Sequence, residues 1–166
     1  MVALRLVRLI ETHGERITRD LVRKIQTSPR TSDMRKVPDL ELLAGIRDLL
    51  QNLQDWLLAK TESDIETRYR EMGARLARQG VALAHACWAV VMIKENLWNF
   101  LEKQAFLRSP IELYGEMELL WVLNKFFDSA LCSIVAAYAQ GQDSPAADAP
   151  SPQPRCAEVN LANLVP

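Results

Sequence analysis

Residues that commonly carry site chemistry are scarce in this sequence. The 166-residue chain has two histidines, His13 and His85, and three cysteines, Cys87, Cys132 and Cys156. The histidines fall in different predicted helices, and no two cysteines form a CxxC pair. There is no glycine-rich phosphate loop, no GxSxG and no HExxH. Nothing pairs a nucleophile with a base or repeats a metal-ligand spacing. The chain is therefore expected not to be an enzyme, with no catalytic residue, no metal and no cofactor. Two of the cysteines sit inside apolar helical patterns, which indicates buried reduced thiols and a reducing compartment.

Long hydrophobic runs are missing as well. Val81–Ile93 is 13 residues with one polar side chain, His85, and a bilayer needs about 20 apolar residues. The N-terminus, MVALRLVRLIETHGERI, meets a charge every few residues and has no signal-peptide apolar region. No transmembrane segment and a cytoplasmic location are expected. Net charge of one sign is nearly absent too, at −1, so no global field favours nucleic acid. Without interleaved aromatics or a helix-turn-helix pattern, a nucleic-acid partner is not expected. Apolar–polar alternation with β-branched residues is also absent, and no sheet is predicted.

What remains is helical spacing almost throughout to Gln140. Leu6, Ile10, Ile17, Leu21 and Ile25 recur at helical intervals, with Gly14 placed to split or kink the stretch. Thr27–Asp39 reads as a loop closed by Pro38, with Asp39 as the next N-cap. Leu42, Leu43, Ile46, Leu49, Leu50, Leu53, Trp56 and Leu57 form one long stripe. Ser63 and Glu66 fit a capping box for a helix running to about Gln79 and stopped by Gly80. The Val81 helix follows. Ser109-Pro110-Ile111-Glu112 combines an N-cap, a first-turn proline and an acidic third position for the last helix. That helix carries Met117, Leu120, Trp121, Phe127, Leu131, Ile134, Val135 and Tyr138. Beyond it, residues 141–166 hold five of the eight prolines and no aromatic residue. They are expected to form a flexible tail, in which Val159–Val165 is either a short docking segment or plain disorder. The predicted organisation is an all-α single compact bundle of about five to six helices over residues 1–140, with a disordered C-terminal tail over 141–166.

Four features are candidates for function. On a helical wheel, Leu83, Cys87, Val90, Leu97 and Leu101 line up as a core seam, and His85 falls roughly 140–160° away. His85 is thus either a haem ligand, as histidines on apolar helices can be, or a partly exposed structural residue beside Asn96 and Asn99. Trp88 and Met92 share that second flank. Tryptophan and methionine are enriched in interface cores, so the pair is either a self-association surface or intramolecular core. In the first helix Arg5, Arg8, Arg16, Arg19 and Arg23 fall within an arc of roughly 80°. They form a stripe able to grip an anionic partner or a solvated face. His13 lies at the edge of the apolar side. Glu62, Asp64 and Glu66 cluster at a helix start, where acidic side chains complement the helix dipole.

The order of LVRLIETHGERITRDLVRKI, VPDLELLAGIRDLLQNLQDWL and YREMGARLARQGVALAHACWAVVMIKENLWNFL resembles the RsbRD N-terminal domain family. Its most specific part is Arg75-x-x-Arg78-Gln79-Gly80-Val81-x-Leu83, with the later Leu97-Trp98-Asn99-Phe100-Leu101. The resemblance spans roughly Leu4 to Gln140. It implies an all-helical input module of bacterial stress signalling, globin-like without haem, paired as a homodimer and acting on a protein partner. In the namesakes the module precedes an output domain. Only a low-complexity tail follows here, so a free-standing sensor or adaptor is the expected role, with a small-ligand or haem-binding sensor as the alternative.

Overall fold

The N-terminal stretch is split into two helices at Gly14, one of the two outcomes expected there. The computed structural model, which describes residues 2–104 and 110–142, places α1 at Val2–Thr12 and α2 at Gly14–Thr27. His13 is the joint between them, with its ring edge on Phe100 at 5.7 Å between centroids. Ile10 of α1 and Ile17, Leu21 and Ile25 of α2 are buried as expected, but in α1 the second buried residue is Val7, and the predicted Leu6 is only half-buried.

Thr27–Asp39 is not an irregular loop. Pro29–Lys36 winds as 3₁₀ turns kinked at Thr31, and it buries Thr31 and Met34. The Ser28 side chain caps these turns at the Arg30 N–H, and Thr31 Oγ1 donates to the Ile25 carbonyl at 2.5 Å. Dense turn formers hide this segment from periodicity, because single 3₁₀ turns leave too few residues to show a repeat.

Helix α3, Asp39–Gln51, corrects a second expectation: Asp39 is its first residue, Pro38 occupies the cap position, and no side chain caps the end. The Asp39 carboxylate instead accepts a hydrogen bond from Gln26. The long apolar stripe is broken after Gln51. Asp55–Ala59 makes one π turn, closed by the Lys60 N–H on the Asp55 carbonyl at 2.9 Å. It leaves Trp56 and Leu57 half-buried. The capping box of α4, Glu62–Arg78, is Thr61 with Asp64, not Ser63 with Glu66. Both pairs satisfy the same pattern two residues apart, and Glu66 pairs with Arg70 instead. Gly80, at φ +76°, turns the chain into α5, Leu83–Gln104.

Helix α6, Pro110–Gln142, opens at the expected proline and is the spine on which α4, α5 and α1 pack. Ser109, on which the expected cap with Glu112 rests, and the tail with its Val159–Val165 segment lie outside the described residues. Along the spine Leu119, Leu123, Phe126, Phe127, Ala130 and Ile134 are buried. An aromatic cluster joins three elements there: Phe126 meets Tyr69 of α4 edge-on at 5.7 Å and Trp56 of the π turn at 6.3 Å. Six α-helices with two short helical turns, and no strand among the described residues, make the protein all-α.

Candidate functional site

The seam of α5 differs from the predicted one. Ala86, Ala89, Leu97 and Leu101 are buried, whereas Leu83, Cys87 and Val90 are only half-buried. Helix α5 packs on α6, on the 3₁₀ segment and on α2. Ala86 and Ala89 wall an apolar cavity shared with α3 and α4, and a wheel weighted by large side chains passes over them. Burial pushes the Cys87 thiol up from its ordinary pKa, which leaves it protonated and a poor nucleophile.

His85 sits under the 3₁₀ segment. Its Nδ1 accepts the Asp33 backbone N–H at 3.2 Å and lies 3.4 Å from Asp33 Oδ2. An accepting Nδ1 puts the proton of the neutral ring on Nε2. Asp33 Oδ2 also accepts the Ala82 N–H at 2.9 Å, capping the start of α5 from another element. Lys36 Nζ completes the latch, 3.0 Å from Asp33 Oδ1 and 2.7 Å from the Gly80 carbonyl. The Ala82 N–H first, and then Lys36, hold the Asp33 carboxyl below the ordinary carboxylate range. Among the described residues no group of three His, Cys, Asp or Glu side chains could hold a metal ion.

Trp88 and Met92 lie on the same side. The Arg30 guanidinium stacks 4.3 Å from the Trp88 ring centroid, and Thr31 Oγ1 is 4.0 Å from Met92 Sδ. Met92 is half-buried and Trp88 is 37% exposed. The 3₁₀ segment therefore covers part of this flank within the chain. The five arginines are all exposed, but the joint at His13 divides them between α1 and α2. Arg19 pairs with Glu15 and Arg23 with Asp20, at 3.1 and 2.9 Å. Arg5, Arg8 and Arg16 have no carboxylate within ion-pair distance among the described residues. Glu15 is shared: Arg47 Nε and Nη2 grip its two oxygens at 2.9 and 3.0 Å and tie α3 to α2. That grip, with burial opposing it, holds the Glu15 carboxyl below its ordinary range.

These depressed carboxyls give the protein a defined acid limb. A group whose folded pKa lies below its unfolded value contributes stability above the unfolded value, near 4 for carboxylates, and loses it as pH falls through the folded value. Urea midpoints are expected to be level from pH 7 to about 5 and to drop below that, with a shallower drop in Asp33→Asn. An acid limb unchanged in Asp33→Asn would remove the latch from the account.

An apolar cavity of about 100 Å³ lies between α3, α4 and α5. Gly45, Leu49, Tyr69, Met72, Ala89 and Val90 are among its walls. At its rim Arg75 pairs with Glu41 at 2.9 Å and Arg68 with Asp48 at 3.0 Å, so the charged groups there are already engaged. His85 does not line it.

The family model for the RsbT co-antagonist protein rsbRD N-terminal domain matches residues 15–149. The chain belongs to this family. The match takes in α2 through α6 and leaves α1 outside, whereas the resemblance read from the sequence began at Leu4. As an RsbRD N-terminal domain, the chain is a regulatory domain of stress signalling. No curated protein and no solved structure matches it.

Sequence reading missed the outer face of α6 in this RsbRD N-terminal domain. Met117, Trp121 and Val135 belong by composition to an apolar helix, yet they point to solvent, as does Tyr114. The signal was available: Tyr114, Trp121 and Val135 fall on one heptad line, opposite Leu123 and Ile134. Reading it required choosing between two apolar lines on one helix.

Proposed function

We propose that this chain is a non-enzymatic signalling module that works through protein–protein contacts as a homodimer, in bacterial stress regulation, in the cytoplasm. The observation that carries the reading is the exposure of Tyr114, Met117 and Trp121, at 75, 61 and 66%, on a helix whose other face is core. Contiguous large apolar side chains left in water mark interaction surfaces, and Trp and Tyr dominate interface energetics. Family membership supports the stress-signalling setting. The test is purification of the native complex from its source, with its components identified and their stoichiometry measured. A defined protein at constant ratio supports the reading, and a chain that elutes from the extract as a lone monomer removes it.

The cavity favours a second reading, a sensor for a small apolar ligand. Its volume is near that of engineered apolar cavities that stay dry and take up benzene, and well below the roughly 300–1,000 Å³ of drug-sized sites. Gly45 is the notable wall residue. It sits inside α3, where glycine costs about 1 kcal/mol relative to alanine, and an added Cβ would meet nothing within 4 Å. Gly45→Ala is therefore expected to raise unfolding stability by about 0.5–1 kcal/mol, measured by urea denaturation. A protein that takes up no hemin and shows no saturable stabilisation by benzene rules the sensor reading out.

A further inference from the structure

Helix α6 runs for 33 residues with two unlike faces. One gives Leu123, Phe127, Ala130 and Ile134 to the core. On the other, Tyr114, Trp121, Asp128 and Val135 are exposed at seven-residue steps, and Glu118, Lys125, Cys132 and Ala139 are exposed four residues after each. Steps of four and three alternate without a break. That is the repeat by which one helix presents a straight seam to another. Its most apolar window, within Met117–Gly141, has mean hydropathy 1.5 and is only 39% buried in the chain.

Charge selects the occupant. Lys125 and Asp128 flank the midpoint of the seam, and reversing the seam end for end maps it onto itself. A second copy laid antiparallel across a two-fold axis therefore brings Lys125 opposite Asp128 twice. The same axis sets Trp121 against Cys132 of the second copy and Tyr114 against its Ala139. Large against small is the alternation that fills a helix–helix contact without overlap. Glu118 falls opposite Val135, where a long side chain can lay its stem on apolar surface and keep its carboxylate in water. A bilayer would instead have to accept two charges halfway along the apolar stretch. Within one copy the two are loosely engaged: Asp128 lies 3.8 Å from Lys94, and Lys125 stands 5.9 Å from the Trp121 ring centroid.

We infer that the outer seam of α6 pairs antiparallel with the same seam of a second copy of this chain, the two-fold axis passing between Lys125 and Asp128. The inference rests on the dimeric reading above and assigns that dimer to α6 rather than to Trp88 and Met92. The seam from Tyr114 to Ala139 is about 39 Å long at 1.5 Å per residue.

Sedimentation velocity of the full chain tests it. The wild type sediments as a dimer. Lys125→Asp and Asp128→Lys each weaken association at least about tenfold, and the double reversal restores it, because the reversed pair is again complementary. Register is read with cysteines, in a background where Cys87 and Cys156 are serine. Mild oxidation of Trp121→Cys gives a covalent dimer through Cys132, and Tyr114→Cys in the same background does not. These positions face solvent, so helix content by circular dichroism stays at the wild-type level. Three results overturn the inference: a wild type monomeric at the highest workable concentration, whether its tail or added lipid vesicles cover α6; a dimer indifferent to both single reversals; or cross-linking of Tyr114→Cys but not of Trp121→Cys. None of these touches the capture of a different protein, so that part of the functional reading stands or falls separately.

Discussion

Gly73→Leu is expected to leave a chain without its native fold at room temperature. Gly73 lies in the interior of α4, and an added Cβ there would stand 3.0 Å from the Ile134 Cα, the Ile134 carbonyl oxygen and the Ala137 Cβ. Carbon atoms in good contact sit roughly 3.5–4.0 Å apart. Two of the three neighbours are backbone, so no side chain can rotate away and α4 has to lift off α6. That lift would break the contact of Tyr69 with Phe126 and expose Leu76. Alanine at this position gains helix propensity of about 1 kcal/mol but meets an overpacking cost of about 1–3 kcal/mol. Leucine adds three more carbons in the same place, and its cost exceeds that range. A total stability of typically 5–15 kcal/mol leaves little margin. Circular dichroism and urea unfolding of the Ala and Leu variants measure the effect. A Leu variant with the wild-type midpoint would show that α4 and α6 are not this close. Gly45→Ala carries the opposite sign for the same chemical change, because the space beside Gly45 is open.

The contrast between these two glycines shows where sequence reading stops. Helical spacing and end signals marked the helical stretches, and Gly14, Gly80 and Pro110 marked boundaries that the structure keeps, because backbone punctuation acts locally. Facts that depend on a neighbour were not legible. Nothing near position 73 in the sequence says that Ile134 will press against it. Asp33 and His85 are 52 residues apart, and only the folded chain makes one the partner of the other. Caps illustrate the same limit at short range: Thr61–Asp64 and Ser63–Glu66 obey one pattern, and only the folded chain, with Thr61 following the π turn and Lys60, shows which pair caps α4. For α6 the difficulty was an excess of signal. More than half of its wheel is apolar, and the core takes whichever line α4 and α5 can reach. The remaining line, with Tyr114 and Trp121, reads as core by composition although it faces water.

Phe126 lies on the line that the core does take, and Phe126→Ala is expected to destabilise the protein by about 3–5 kcal/mol, the usual cost of emptying a buried aromatic site. Its ring is 3% exposed and touches three aromatic neighbours: Tyr69 at 5.7 Å, Trp56 at 6.3 Å and Phe127 at 5.2 Å between centroids. Two of these pairs are edge-to-face and the one with Trp56 is tilted. Aromatic pairs add about 0.5–1.5 kcal/mol each beyond the area they bury, so the loss should lie toward the upper end. Collapse cannot refill the space easily, because Gly73 already holds α4 and α6 at their closest approach. The π turn depends on the same ring, since Trp56 leans on it while Lys60 and Arg68 stand 5.9 and 6.0 Å from the indole centroid. Phe126→Ala should therefore alter tryptophan fluorescence in the folded state as well as lower the urea midpoint. Phe126→Leu, which keeps most of the volume, should recover more than half of the lost stability. Equal losses for Ala and Leu would mean that the aromatic contacts, rather than the cavity, dominate this junction. A loss under about 1 kcal/mol for Ala, the range of an exposed position, would place Phe126 outside the core altogether.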